Sequence, residues 1–118
     1  MHAVLAGLVG FIAFQHLLFL VVEMFLWRTK AVRKSFGMSQ ELADGSAPLA
    51  MNQGLYNGFL VAGLVWGLSL GAAGDSIKIF FLGCVIVAGV FGALTANRRI
   101  LWVQALPGAV AIALVMAS

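Results

Sequence analysis

The chain has 118 residues, 63% of them hydrophobic and 9% charged, with a formal net charge of +3. A single folding unit of this length needs far more charged surface to stay soluble, so the composition excludes an ordinary soluble domain. The acids are Glu23, Glu41, Asp44 and Asp75, the bases Arg28, Lys30, Arg33, Lys34, Lys78, Arg98 and Arg99, and long uncharged stretches separate them. The bases stand at predicted helix ends, where bilayer orientation explains them and nucleic-acid binding is not implied. The one cysteine, Cys84, cannot form an intrachain disulfide.

A membrane-crossing helix needs about 20 mostly apolar residues. On that rule the predicted fold is an all-α polytopic membrane protein, with four transmembrane helices in a compact bundle forming one domain over residues 1–118. The first span covers about 4–27, "VLAGLVGFIAFQHLLFLVVEMFLW". It has no basic region before it and four bases soon after it, so it reads as a retained helix rather than a signal peptide. Residues 28–48 form the long connection, read first as a simple connector and alternatively as holding a short interfacial helix capped by Ser39. Ser46 and Pro48 fit the start of the second span as cap and early proline.

The second span covers about 49–71, and Asp75 marks a short turn. The third covers 77–96, Asn97, Arg98 and Arg99 form the next boundary, and the fourth covers 100–117 with a bend expected at Pro107. The positive-inside bias places 28–48 and Arg98–Arg99 in the cytoplasm and both termini outside, in a bacterial inner membrane.

This orientation turns the polar residues into a depth map. Glu23 comes late in span one, and "NQGLYNG" supplies Asn52, Gln53, Tyr56 and Asn57 at the start of span two. Gln104 lies one turn into span four. If the spans pack as neighbours, these groups meet near the cytoplasmic side. His16 sits deeper, about 10 Å from Glu23 along the helix. A carboxylate buried without a partner carries a large desolvation cost and tends to hold a proton, whereas Arg98 or Arg99 as a candidate ion-pair partner would favour the anion. Asn52 with Tyr56, and Gln53 with Asn57, share faces at i,i+4 spacing, suited to interhelical hydrogen bonds or to ligand contact.

The expected site is therefore Glu23, His16, Asn52, Gln53, Tyr56, Asn57 and Gln104, open to the cytoplasmic side. There is no phosphate-binding loop, CxxC pair or HExxH. His2 and His16 differ in depth, and no metal or cofactor is expected. Gly63, Gly67 and Gly71, the stripe Gly54, Gly58 and Ala62, and the series Cys84, Ala88, Gly92 and Ala96 let helices approach closely. The same small faces suit a homodimer within the lipid bilayer.

Taken together, "QHLLFLVVEMFLW", "FGM", "NQGLYNGFLVAGLVWG" and "FFLGCVIVAGVFGALTANRRILWVQALPG" resemble a family of small bacterial integral membrane proteins catalogued as domain of unknown function 1304. The resemblance covers nearly the whole chain. His16, Glu23, Asn52, Gln53, Gly54, Tyr56, Asn57 and Gly58 stand at its polar elements, and Gln104, Pro107 and Gly108 at its last-span pattern. It implies a compact four-helix membrane protein and no particular activity.

Three functional readings follow. The leading one is a small transporter coupling proton movement to export of a small cation or amphiphile, with Glu23 as the coupling acid. The second is a structural or regulatory membrane subunit in which Glu23, Arg98 and the amides form a static network. The third is an intramembrane enzyme using His16 or Tyr56 as an acid–base group.

Overall fold

The computed structural model describes residues 2–96 and 100–118. The expectations for Asn97, Arg98 and Arg99 lie outside the described residues. Regular structure among the described residues is entirely helical: α1 (His2–Val21), α2 (Lys30–Phe36), α3 (Gln40–Ser69), α4 (Asp75–Thr95) and α5 (Leu106–Ala117). A π-helical turn, Val22–Leu26, extends α1 and a second, Leu101–Ala105, precedes α5, while a 3₁₀ turn, Gly71–Gly74, leads into α4.

The four-span expectation is corrected by these lengths. Among the described residues, two helices are long and apolar enough to cross a bilayer, His2–Leu26 and Gly71–Thr95, each of 25 residues. The α3 helix has 30 residues, but its sequence carries Glu41 and Asp44 early and Asn52, Gln53 and Asn57 at its centre. Those groups dilute the apolar run that a lipid-facing helix requires. Among the described residues, the last apolar helix, Leu101–Ala117, reaches about 26 Å at 1.5 Å per residue, short of roughly 30 Å of hydrocarbon.

The long connection also differs from its predicted form. Ser39 does cap a helix, its Oγ accepting from Leu42 N at 3.1 Å, but the helix is not a short interfacial piece. It runs without interruption through Pro48. Ser46 therefore sits inside α3 rather than at its start, with its hydroxyl donating to the Leu42 carbonyl at 2.7 Å.

The described residues divide into two compact units, one made of the chain up to Phe14 with Leu60–Ser118, the other of Gln15–Phe59. In the first, Leu5, Val9, Ile12 and Ala13 of α1 form a buried core with Leu64, Leu82, Val85, Ala111 and Val115. Its glycines are contact points. A side chain on Gly63 would run into the Phe81 ring, and a Cβ on Gly67 would lie 2.8 Å from Lys78 Cγ. The α3 glycine stripe is thus occupied within the chain.

Lys78 is buried in this unit. Its ammonium donates to the Gly71 carbonyl at 2.8 Å and to Asp75 Oδ1 at 3.1 Å. Gly71 takes a left-handed φ of 59° just past the end of α3, where it opens the 3₁₀ turn. Lys78 thereby brings a positive charge to the C-terminal end of α3.

Replacing Lys78 by Met keeps the stem volume and removes both bonds. We expect a loss of about 1–3 kcal/mol, since the Gly71 carbonyl and the Asp75 carboxylate both lose a charged donor. Reversible unfolding in detergent measures it; a Lys78→Met protein as stable as the wild type would show that the bonds contribute nothing.

Candidate functional site

Within Gln15–Phe59, the end of α1 is shaped by a wider turn followed by a stop. Glu23 stands in the π turn Val22–Leu26, a form of helix that leaves a local irregularity and re-aims the side chains that follow. Thr29 ends the run, its hydroxyl donating to the Leu26 carbonyl at 2.7 Å. The same oxygen accepts from Val32 N at 3.4 Å, which starts α2. Gly37, with φ 67°, closes α2 in a conformation that a side chain would strain.

Glu23 is the one formally charged side chain in His2–Leu26, and it is half-buried. Asn57, buried on α3, donates its Nδ2 to Glu23 Oε1. Gly54 makes the approach possible. A Cβ there would lie 2.5 Å from Met24 Cγ, 3.2 Å from Glu23 Cβ and 3.3 Å from the Leu20 carbonyl oxygen. One turn on, a Cβ at Gly58 would lie 3.0 Å from Leu20 Cδ1. Gly54 and Gly58 therefore form a smooth face against which the end of α1 lies, and Asn57 projects beside it.

A half-open hollow of about 290 Å³ adjoins this pair, lined by Glu23, Met24, Phe25, Trp27, Arg28, Thr29, Ala47 and Met51. Its wall is largely sulfur, aromatic and aliphatic, with one carboxylate and one guanidinium. Trp27 is fixed by its indole N–H, which donates to Ser46 Oγ at 3.0 Å, and by the Phe36 ring at 5.5 Å. Among the described residues, no three His, Cys, Asp or Glu side chains converge where a metal ion could sit.

The other expected site residues are distributed differently. His16 is fully buried and meets the Phe19 ring edge-on at 5.2 Å. Asn52 and Gln53 are exposed, as is Tyr56, which packs edge-on against Phe59 at 5.7 Å. Gln104 is half-buried in the π turn Leu101–Ala105 and belongs to the other unit. Arg98 and Arg99, the candidate ion-pair partners of Glu23, lie outside the described residues. Of the predicted set, the described contacts thus bring together Glu23 and Asn57. The Trp27–Ser46 bond and the methionine-lined hollow were missed, because a helix starting at Leu49 leaves Ser46 and Ala47 in a loop.

A small helical chain with two apolar helices of membrane-crossing length, the first interrupted by a single carboxylate, defines a membrane-associated helical protein. The chain belongs to the family described as "Protein of unknown function (DUF1304)", whose model matches residues 10–116. It is 28% identical over 95 residues to the uncharacterized protein YpaA of Lactococcus lactis subsp. lactis (strain IL1403), which covers 79% of this chain and 80% of that protein. No solved structure matches it.

The Gly54 contact separates packing from helix propensity. Gly54→Ala should destabilise the protein by about 1–3 kcal/mol, the usual result of overfilling a packed contact. Gly45, in the same helix, has nothing within 4 Å of an added Cβ. Gly45→Ala should be neutral or stabilising by about 0.5–1 kcal/mol. Equal effects at the two positions in unfolding experiments would refute the close approach.

Proposed function

We propose that the protein is a small inner-membrane transporter that couples proton movement to export of a small cation or amphiphile at Glu23. The observation that carries this reading is the carboxylate itself, placed in a π turn of an otherwise uncharged helix and held by the Asn57 amide beside a methionine- and aromatic-lined hollow. A carboxyl group there can carry a proton or face a cation, and the two states differ in what exposure to hydrocarbon costs. Met24, Met51, Phe25 and Trp27 suit the apolar part of an amphiphile, since thioethers and rings adapt to varied shapes.

In this reading the basic segment Arg28–Lys34 faces the cytoplasm and the N-terminus lies outside. Two crossings return the C-terminus to the outer side as well. A cysteine at exposed Ser35, in a Cys84→Ser background, should resist an impermeant thiol reagent in intact cells and react once the membrane is opened. Labelling of intact cells would reverse the orientation. A homodimer also belongs to this reading. Because Gly63 and Gly67 pack within the chain, a second copy would meet the outward face of α4, where Gly83, Cys84 and Ala88 lie between Phe80 and Phe91.

The structural-subunit reading has its own support, since Gly54, Gly58 and the Asn57 amide hold Glu23 as a static element would be held. One variant separates the two. Glu23→Gln keeps shape and hydrogen-bonding capacity but cannot exchange a proton. In proteoliposomes carrying a pH gradient and screened with organic cations and amphiphiles, folded Glu23→Gln protein should lose gradient-driven flux. Undiminished flux in that variant removes Glu23 from coupling, and no protein-dependent flux of any tested compound favours the structural subunit.

A further inference from the structure

Beside the hollow, and sharing Arg28 and Phe25 with it, lies the basic face just past the first apolar helix. Arg28, Lys30, Arg33 and Lys34 supply four cations in seven positions, with no acid among them. The buried side of α2 is Val32, which fixes the opposite side outward. Lys30, Arg33 and Lys34 share that side by i,i+3 and i,i+4 spacing. Arg28 is tied to them, because Arg33 Nε donates to the Arg28 carbonyl at 3.2 Å.

None of the four is neutralised. Among the described residues, the ion pair within 4.0 Å is Lys78–Asp75, in the other unit. The acids of Gln15–Phe59 are engaged elsewhere or remote in sequence from this face: Glu23 accepts from Asn57, Asp44 accepts from Gln40 Nε2 at 2.7 Å, and Glu41 is exposed on α3. On the apolar side of the cluster stand exposed side chains, Phe25 at 71%, Leu26 at 40% and Phe36 at 60%. Cations backed by exposed rings and aliphatic groups at the end of a membrane-length helix match one chemistry, a phosphate headgroup carried on acyl chains.

We propose that this face binds anionic phospholipid headgroups, with Lys30, Arg33, Lys34 and Arg28 on the phosphate and Phe25, Leu26 and Phe36 against the chains. The lipid source is favoured over free phosphate because exposed Phe25, Leu26 and Phe36 flank the four cations on either side in the chain. The interaction shares Arg28 and Phe25 with the hollow but needs no proton exchange at Glu23, so it survives the failure of that reading.

Brominated lipids quench tryptophan on contact, and Trp27 adjoins the face. The full chain carrying Trp66→Phe and Trp102→Phe, both at exposed positions, leaves Trp27 as the reporter. It is titrated in detergent micelles with brominated phosphatidylglycerol or brominated phosphatidylcholine. Half-quenching by the anionic lipid should need at least about tenfold less lipid, since each Lys or Arg near an anionic surface contributes roughly fivefold. Raised salt should narrow the gap. Lys30→Gln with Lys34→Gln should reduce the preference about tenfold or more, whereas Lys30→Arg with Lys34→Arg should keep it. Equal quenching by the two lipids overturns the proposal. So does a preference unchanged by the glutamine pair, or displacement of the lipid by inorganic phosphate at matched ionic strength.

Discussion

A carboxylate inside an apolar helix is tolerated when a donor reaches it, and a donor on another helix reaches it only where the two backbones come close. Glu23 meets both conditions. Asn57 gives the donor, and Gly54 and Gly58, one helical turn apart, give the closeness. A larger residue at Gly54 pushes α3 away from Met24 and Glu23 and leaves the carboxylate without its amide. The arrangement of Gln15–Phe59 follows from this contact: the π turn at Val22–Leu26, the hollow beside it, and Trp27 held against Ser46 of the same long helix.

The same physics recurs in the other unit with the charge reversed. Lys78 is buried, and its ammonium is satisfied by the carbonyl of Gly71 and the carboxylate of Asp75. Gly67 lets the lysine stem lie against α3. The second π turn, Leu101–Ala105, comes just before Pro107. Proline has no N–H to offer the preceding turn, and a wider turn is one way to accommodate that loss without ending the helix.

Much of this was legible in the residues. A lone glutamate in an apolar run, amides at the matching depth and glycines at four-residue spacing point to close helices around a polar contact, and Glu23–Asn57 is such a contact. The number of spans was not legible, because hydrophobic length was read without weighing what interrupts it. Residues 49–71 look like a span when Leu49 is taken as the start. In the fold they are the second part of a helix that begins at Gln40 and carries three carboxamides at its centre. Pro48 misled for a related reason: proline suits the first turn of a helix, yet here it stands well inside one. Asn52, Gln53 and Tyr56 were placed in the site because they share depth with Asn57. Depth does not fix direction around a helix, and these three point away from the packed face that Gly54 defines.

The central claim is that Glu23 and Asn57 are energetically one unit. A double-mutant cycle with Glu23→Met and Asn57→Leu, read by reversible unfolding in detergent, tests it without reference to any substrate. The account predicts that each single change is costly, that the pair is less costly than their sum, and that the coupling is about 1–3 kcal/mol. Additivity within about 0.5 kcal/mol would mean that the two residues act independently, and would contradict it.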